Sequence, residues 1–142
     1  MSQFLDAILR RNVFMAKYGD VVFSTERLSF QEVKRKVEAK INTYETLNGK
    51  VINQFISLKE EKLTMNGLIF PEYHQSAQQR LESLYTILRE GKPQLLSLTS
   101  KESSFPTGLW LIERIEETQN LFRANGEAQK IQFSLDLIRS ET

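Results

Sequence analysis

The segment Lys130 to Arg139 constrains this chain more than any other. Ile131, Phe133, Leu135 and Leu137 alternate with Gln132, Ser134 and Asp136. A period of two puts an apolar row and a polar row on opposite faces of a strand. The segment therefore belongs to a sheet that is dry on one side and wet on the other, which is the signature of antiparallel pairing. Leu109 to Phe122 is long enough to be its partner, and Asn125-Gly126 sits in the turn region between them. The first arm of this hairpin changes character midway. Leu109-Trp110-Leu111-Ile112 is apolar on both faces and is expected to be covered on both. Glu113 to Asn120 is polar and is expected to project toward solvent or a partner.

The remaining elements are set by punctuation. Val21-Val22-Phe23-Ser24 reads as a short buried strand. Asn48-Gly49 is a strong turn signal, followed by a strand over 50–58. Residues 61–70 form another, with Leu63, Met65 and Gly67 on one face and Leu68, Ile69 and Phe70 as its buried end, stopped by Pro71. The clearest helix spans 76–90, where Leu81, Leu84, Tyr85 and Leu88 give the stripe of helical spacing. Gly91 is its C-terminal cap, and Pro93 prevents continuation. A short strand over 94–99 and a polar loop over 100–108 follow. Residues 2–14 read as an amphipathic helix, with Phe4, Leu5, Ile8 and Leu9 on one face, which must dock on its own domain or on a neighbour.

One segment resists this reading. Phe30, Val33, Val37, Ile41 and Tyr44 recur at helical intervals. The same stretch also alternates: Glu32, Lys34, Lys36, Glu38 and Lys40 make a charged row against Val33, Val37, Ala39 and Ile41, with Arg35 as the exception. Periodicity does not decide between helix and strand. Apart from it, the element string is that of an α+β domain, mostly antiparallel, with one main helix.

Composition narrows function. A chain of 142 residues is about one domain. Nineteen Lys and Arg stand against eighteen Asp and Glu, for a net charge of +1. A phosphate-neutralising protein needs a basic excess or block, so sequence-specific nucleic-acid binding is not expected. Near-neutrality does permit close self-association. The absence of cysteine removes disulfides, thiolate nucleophiles and Cys-ligated zinc, and one histidine, His74, leaves no His pair for a metal. No apolar run reaches the ~18–20 residues of a membrane span. The N-terminus lacks the order of a signal peptide, so an intracellular origin is expected.

Glu113 and Glu117 share a face on a regular strand and offer a carboxylate pair, but no pocket signature accompanies them, and a solvated strand face is the better account. The mixed charges of 32–40 suit either a solvated face or salt bridges between subunits. His74 reads as an incidental or capping residue, and Trp110 as core. No phosphate loop, nucleotide fingerprint or nucleophile elbow occurs. No catalytic residue, cofactor, metal or small-molecule substrate is expected.

The ordered set of motifs resembles the tail protein U family (GpU) of contractile-tailed phages and prophages. The matching stretches are Val21-Val22-Phe23-Ser24, Phe30-Gln31, Leu68-Ile69-Phe70-Pro71-Glu72 and the Leu81–Leu84–Leu88 helix running into Gly91-Lys92-Pro93. Gly108 to Thr118 follows, then Phe122, Gly126 and Lys130 to Leu135 with Leu137 and Arg139. The resemblance covers about 16–140 and leaves 1–15 as a helical extension before a single domain over 16–142. It implies a strand over about 30–41 and a tail-tube-like fold, a β-sandwich or split barrel with a flanking helix.

It also implies a structural role in tail assembly. Copies would form a ring, of six in the assembled state, at the baseplate end of the tail tube between hub and tube. The alternatives are a head-proximal terminator ring and, outside this class, a small protein-binding adaptor. Its partners would be itself and other tail proteins, with no membrane. It would assemble in the host cytoplasm and then belong to the virion tail. A two-stranded arm can grip a neighbour by strand addition. The residues expected at such an interface are Lys34, Lys36, Glu38, Lys40, Glu113, Glu116, Glu117, Asn125 and Gly126.

Overall fold

A computed structural model of the chain describes residues 16–24, 28–73, 76–98 and 107–140. The expected extension over 1–15 and His74 lie outside the described residues. The elements run β1 (Ala16–Tyr18), β2 (Val21–Phe23), β3 (Glu32–Lys36), β4 (Ala39–Glu45), β5 (Val51–Leu58), β6 (Lys62–Ile69), α1 (Ala77–Glu90), β7 (Gln94–Leu98), β8 (Gly108–Phe122) and β9 (Ala128–Arg139). Seven strands form one sheet in the order β2-β1-β7-β8-β9-β6-β3. Every pairing in it is antiparallel. Among the described residues β4 and β5 pair only with each other.

The alternation that identified β9 sets the register of the sheet. Ile131, Phe133, Leu135 and Leu137 oppose Ile69, Gly67, Met65 and Leu63 of β6, and all eight lie on the buried face. Gly67 has to be glycine, because a Cβ there would lie 2.2 Å from the Ser29 carbonyl oxygen and 2.5 Å from the Phe133 ring. α1 seals the core with Ala77, Leu81 and Leu84 and packs on β8 and β2. It ends as expected, at Gly91 in the left-handed region (φ 68°), whose N–H bonds the carbonyls of Ile87 and Leu88.

β2 and β3 are its opposite edges, and just past β2 the Ser24 N–H bonds the Leu28 carbonyl at 2.9 Å. The rings of Phe23 and Phe30 meet edge-to-face at 5.7 Å. Inside lie Trp110, Tyr18 and Leu28, all fully buried. The Tyr18 hydroxyl donates to the Trp110 carbonyl at 2.7 Å, and burial pushes its pKa up to about 12.

Several expectations need correction. β1 is a strand of three residues, too short to show a period, and it was not foreseen. The segment after β2 is extended, but it breaks at Val37-Glu38, so its row of charges is divided between β3 and β4. Phe70 is 36% exposed rather than a buried end. Leu109 is 39% exposed while Trp110 and Ile112 are buried, so the start of β8 is dry on one face only.

Candidate subunit interface

Two surfaces stand out, and both arise from how the strands end. The first is the β4–β5 hairpin. The β3–β6 ladder, which finishes at Lys36 opposite Lys62, resumes at Ala39 opposite Leu58. The hairpin is thus a continuation of the sheet past its end. It turns at Thr46–Gly49, where Gly49 takes φ 79° and its N–H bonds the Thr46 carbonyl. Seven residues in β4 and eight in β5 extend it by roughly 24 Å at ~3.4 Å per residue. Every residue of both strands is exposed. Ile41 opposes Phe55 and Glu45 opposes Val51, with Ala39 opposite Leu58 on the same side. Asn42 opposes Gln54, and Tyr44 opposes Ile52, on the other. One face therefore groups Ala39, Ile41, Val51, Phe55 and Leu58 around the Thr43–Asn53 pair and Glu45, with Phe55 60%, Val51 65% and Leu58 66% exposed.

The joint of this arm is held by charge. Lys36 and Lys59 both bind Glu38, at 2.7 and 3.4 Å. The hydrogen bond from Lys36, then its charge, holds the Glu38 carboxyl below its ordinary range. Beside it, Glu61 receives Arg139 at 2.7 Å and also Arg35. Burial alone would raise the Glu61 pKa, but the two guanidinium groups outweigh it and hold the carboxyl low. Arg139 lies over the Trp110 ring at 4.5 Å and donates to the Thr107 carbonyl at 2.9 Å. The arm is thereby tied to the core.

The second surface is the four-stranded slab β8-β9-β6-β3. β7 covers only Gly108 to Trp110 of β8, so the rest of that edge has no strand partner among the described residues. β3 ends the sheet on the other side. The outer face of the slab is polar, a shallow depression of about 700 Å³ lined by Lys34, Thr64, Asn66, Glu113, Arg114 and Asp136 among others. Asp136 accepts hydrogen bonds from Thr64 and Arg114, both at 2.9 Å.

A bulge fixes which β8 residues face where. Ile112 opposes Leu137 but Arg114 opposes Asp136, so Glu113 is an extra residue. The inserted residue switches parity. Trp110 and Ile112 before it, and Ile115 and Glu117 after it, lie on the same core-side face, opposite Arg139, Leu137, Leu135 and Phe133 in turn. Glu113 instead lines the outer depression. Glu113 and Glu117 therefore do not share a face, which corrects the carboxylate pair expected from a regular strand. Glu117 accepts a hydrogen bond from Tyr85 at 3.2 Å, and Glu116 meets Arg114 at 3.4 Å.

The interface residues expected from sequence fall in five places. Lys34 and Lys36 lie on the outer face of β3, Glu38 at the joint, and Lys40 on the arm. Glu113, Glu116 and Glu117 lie along the free edge of β8, within the sheet rather than on a separate arm. Asn125 and Gly126 form the β8–β9 turn, where Gly126 takes φ 88° and its N–H bonds the Arg123 carbonyl at 2.9 Å. Sequence reasoning missed the apolar residues of the arm. Their signal was present in the Asn48-Gly49 turn flanked by Ile41, Tyr44, Val51, Ile52 and Phe55. Among the described residues no group of three or more His, Cys, Asp or Glu is placed to hold a metal, and no helix is long and apolar enough to cross a membrane.

Comparison with solved structures gives a consistent fold. The SPP1 Dit protein, described as a paradigm of the hub adsorption apparatus in phages infecting Gram-positive hosts, matches with a TM-score of 0.57 at 15% identity. The match covers 91% of this chain and 50% of that one, so the chain spans about half of Dit. A chain from the virion of a native gene transfer agent matches with a TM-score of 0.57 at 12% identity over 92% of both chains. A chain from the tail of an empty gene transfer agent particle, refined with C6 symmetry, matches with a TM-score of 0.56 at 10% identity over 91% and 92%. No curated protein sequence matches. The Phage P2 GpU family model matches residues 19–141, and the chain belongs to that family of phage tail proteins.

Proposed function

We propose that this structural tail protein closes into a ring, of six copies in the assembled state, at the baseplate end of the tail tube, where it joins the hub to the first tube disc. It acts through geometry, without catalysis, assembling in the host cytoplasm before it enters the tail particle. The arm carries this reading. A two-stranded hairpin is marginal on its own in water, and this one holds an apolar face beyond the end of its own sheet. Such a face is built to be covered by another molecule. Its direction, along the strands and past one end, gives the subunit two unlike ends, as a connector between different neighbours requires. The fold neighbours support the setting: one is a hub-apparatus protein and another comes from a tail with C6 symmetry.

The test is to locate the chain in assembled particles. Antibody labelling in negative stain should mark the baseplate end of the tube, and averaging there should show a ring of copies. Label at the head-proximal end would make it a terminator instead. A single copy per particle would overturn the ring. Replacing 39–58 by a short turn should leave a folded protein that no longer joins tube to hub.

A further inference from the structure

We infer that the outer face of the sheet at the start of β8 is a docking site for this chain's own residues 2–14, which lie across it with Phe4, Leu5, Ile8 and Leu9 against Leu95, Leu109, Leu111 and Ile138. This inference stands apart from the ring and from whatever covers the arm.

The site comes from two adjacent cross-strand pairs. Leu95 of β7 opposes Leu109 of β8, and Leu111 opposes Ile138 of β9. Their strand neighbours Leu96, Trp110 and Leu137 are fully buried on the core side. Successive side chains point to opposite faces, so the four apolar residues share the outer face. Leu95 is 56% and Leu109 39% exposed, and Leu111 and Ile138 are half-buried. The outer face of an antiparallel sheet is polar where it meets water. Here that holds for the next row along, where Arg114 opposes Asp136 and Asp136 opposes Thr64. The run Leu109-Trp110-Leu111-Ile112 is apolar on both sides because both sides need a layer. The core supplies one of them.

The other layer is chosen by where the chain enters the sheet. Ala16 opens β1 and pairs with Leu98 of β7, three residues along that strand from Leu95, roughly 10 Å. β7 is the strand beside β1, and β8 the one beyond it, so the patch begins one strand spacing from the end of the segment. Ala16 and Tyr18 are fully buried, so the core side is already filled there. Lys17, which faces the other way, is exposed, and the outer side is open. Read as a helix, residues 2–14 place Leu9 roughly 10 Å and Phe4 roughly 18 Å from Ala16 at 1.5 Å per residue. That interval falls over the patch. The arm, by contrast, leaves the sheet from β6 and β3, four and five strands along from β1. Thirteen residues make a marginal helix alone, and burial of a four-residue stripe is what would hold this one. The segment precedes residues 19–141, which the family model matches, so it is an addition to the shared fold. The subunit then enters assembly with this face finished from within the chain and the face of the arm still bare.

The chain has no cysteine, so a single introduced thiol reports the cover. In the full chain, Leu95→Cys should react slowly with iodoacetamide. Adding Ile8→Asp should speed the reaction at least about tenfold, the scale of one buried apolar side chain lost. Arg10→Gln, on the opposite side of the helix, should leave the rate unchanged. Leu47→Cys, at the fully exposed tip of the arm, should react fast in every background. In the reciprocal measurement, hydrogen exchange over residues 2–14 should be slowed in the wild-type chain and fast in Leu109→Asp, with unchanged circular dichroism showing that the domain is intact. Equal alkylation rates with and without Ile8→Asp would overturn the docking. Protection that appears only as protein concentration rises would assign the cover to another copy and overturn docking within one chain.

Discussion

The slab β6-β9-β8 and the β4–β5 arm are built from the same material and meet opposite fates. Both are antiparallel ladders, and the arm is a direct continuation of the β3–β6 ladder past the joint. In the slab the apolar row on the core side finds cover: Leu63, Met65, Leu135 and Leu137 are fully buried. In the arm, Val51, Phe55 and Leu58 are chemically equivalent and stay about two-thirds exposed. The strand does not determine this difference. What matters is whether a second layer lies over it, and α1 packs on β8 and β2 but not on the arm. An apolar face states that something must cover it. Of these two regions, only the slab has that cover among the described residues.

The sharpest test is therefore made inside the slab. Leu135 lies between Met65 and Ile115 with no exposure. Leu135→Ala removes buried methyl groups and leaves a cavity, so it should cost about 2–5 kcal/mol of unfolding free energy. Urea denaturation followed by circular dichroism would measure it. A loss as small as that of an arm substitution would mean that the slab is not the load the fold rests on.

A smaller effect belongs to the joint between the two regions. The guanidinium groups of Arg139 and Arg35 hold the Glu61 carboxyl below its ordinary value of 4.5. A carboxyl lowered in the folded state stabilises the protein above its unfolded pKa, and that contribution disappears as pH falls through the folded value. The melting temperature should accordingly drop on acidification below about pH 4.5. Glu61→Gln should lower it at neutral pH and flatten that acid limb. An unchanged acid limb in the variant would assign the drop to other carboxyls, Glu38 first among them.

Most of the slab was legible in the sequence because its faces are finished within the chain. The alternation in β9 gave its register with β8 a face to bury, and Gly91 with Pro93 ended the helix. What failed did so for local reasons. The Glu113 bulge reverses parity, and one extra residue leaves no mark in a polar run. β1 has only three residues, so its place is set by pairing with β2 and β7 rather than by pattern. The arm's strand after Asn48-Gly49 was visible, but its exposure was not, because composition shows that a residue is apolar and not what lies above it. The segment 30–47 suited a helix equally well by period, and tertiary pairing with β6 and β5 decided it.

The smallest expected change in stability is also the most informative for the arm. Phe55 is 60% exposed, opposite Ile41 on the apolar face. Phe55→Ser removes little that the isolated chain buries, so unfolding free energy should move by less than about 0.5 kcal/mol, as at other surface positions. If the face is covered only on assembly, the same substitution puts a polar side chain into an interface and should strongly reduce incorporation into tails. Measuring both quantities on one variant separates the two roles. A large loss of stability would show that the arm folds back on its own core, and normal incorporation would show that its apolar face is not what a neighbour holds. Tyr44→Ser, on the opposite face of the hairpin at 46% exposure, is the internal control. It leaves the Ile41–Phe55 face intact, so it should spare both stability and incorporation if the covered side is the one that bears Val51, Phe55 and Leu58.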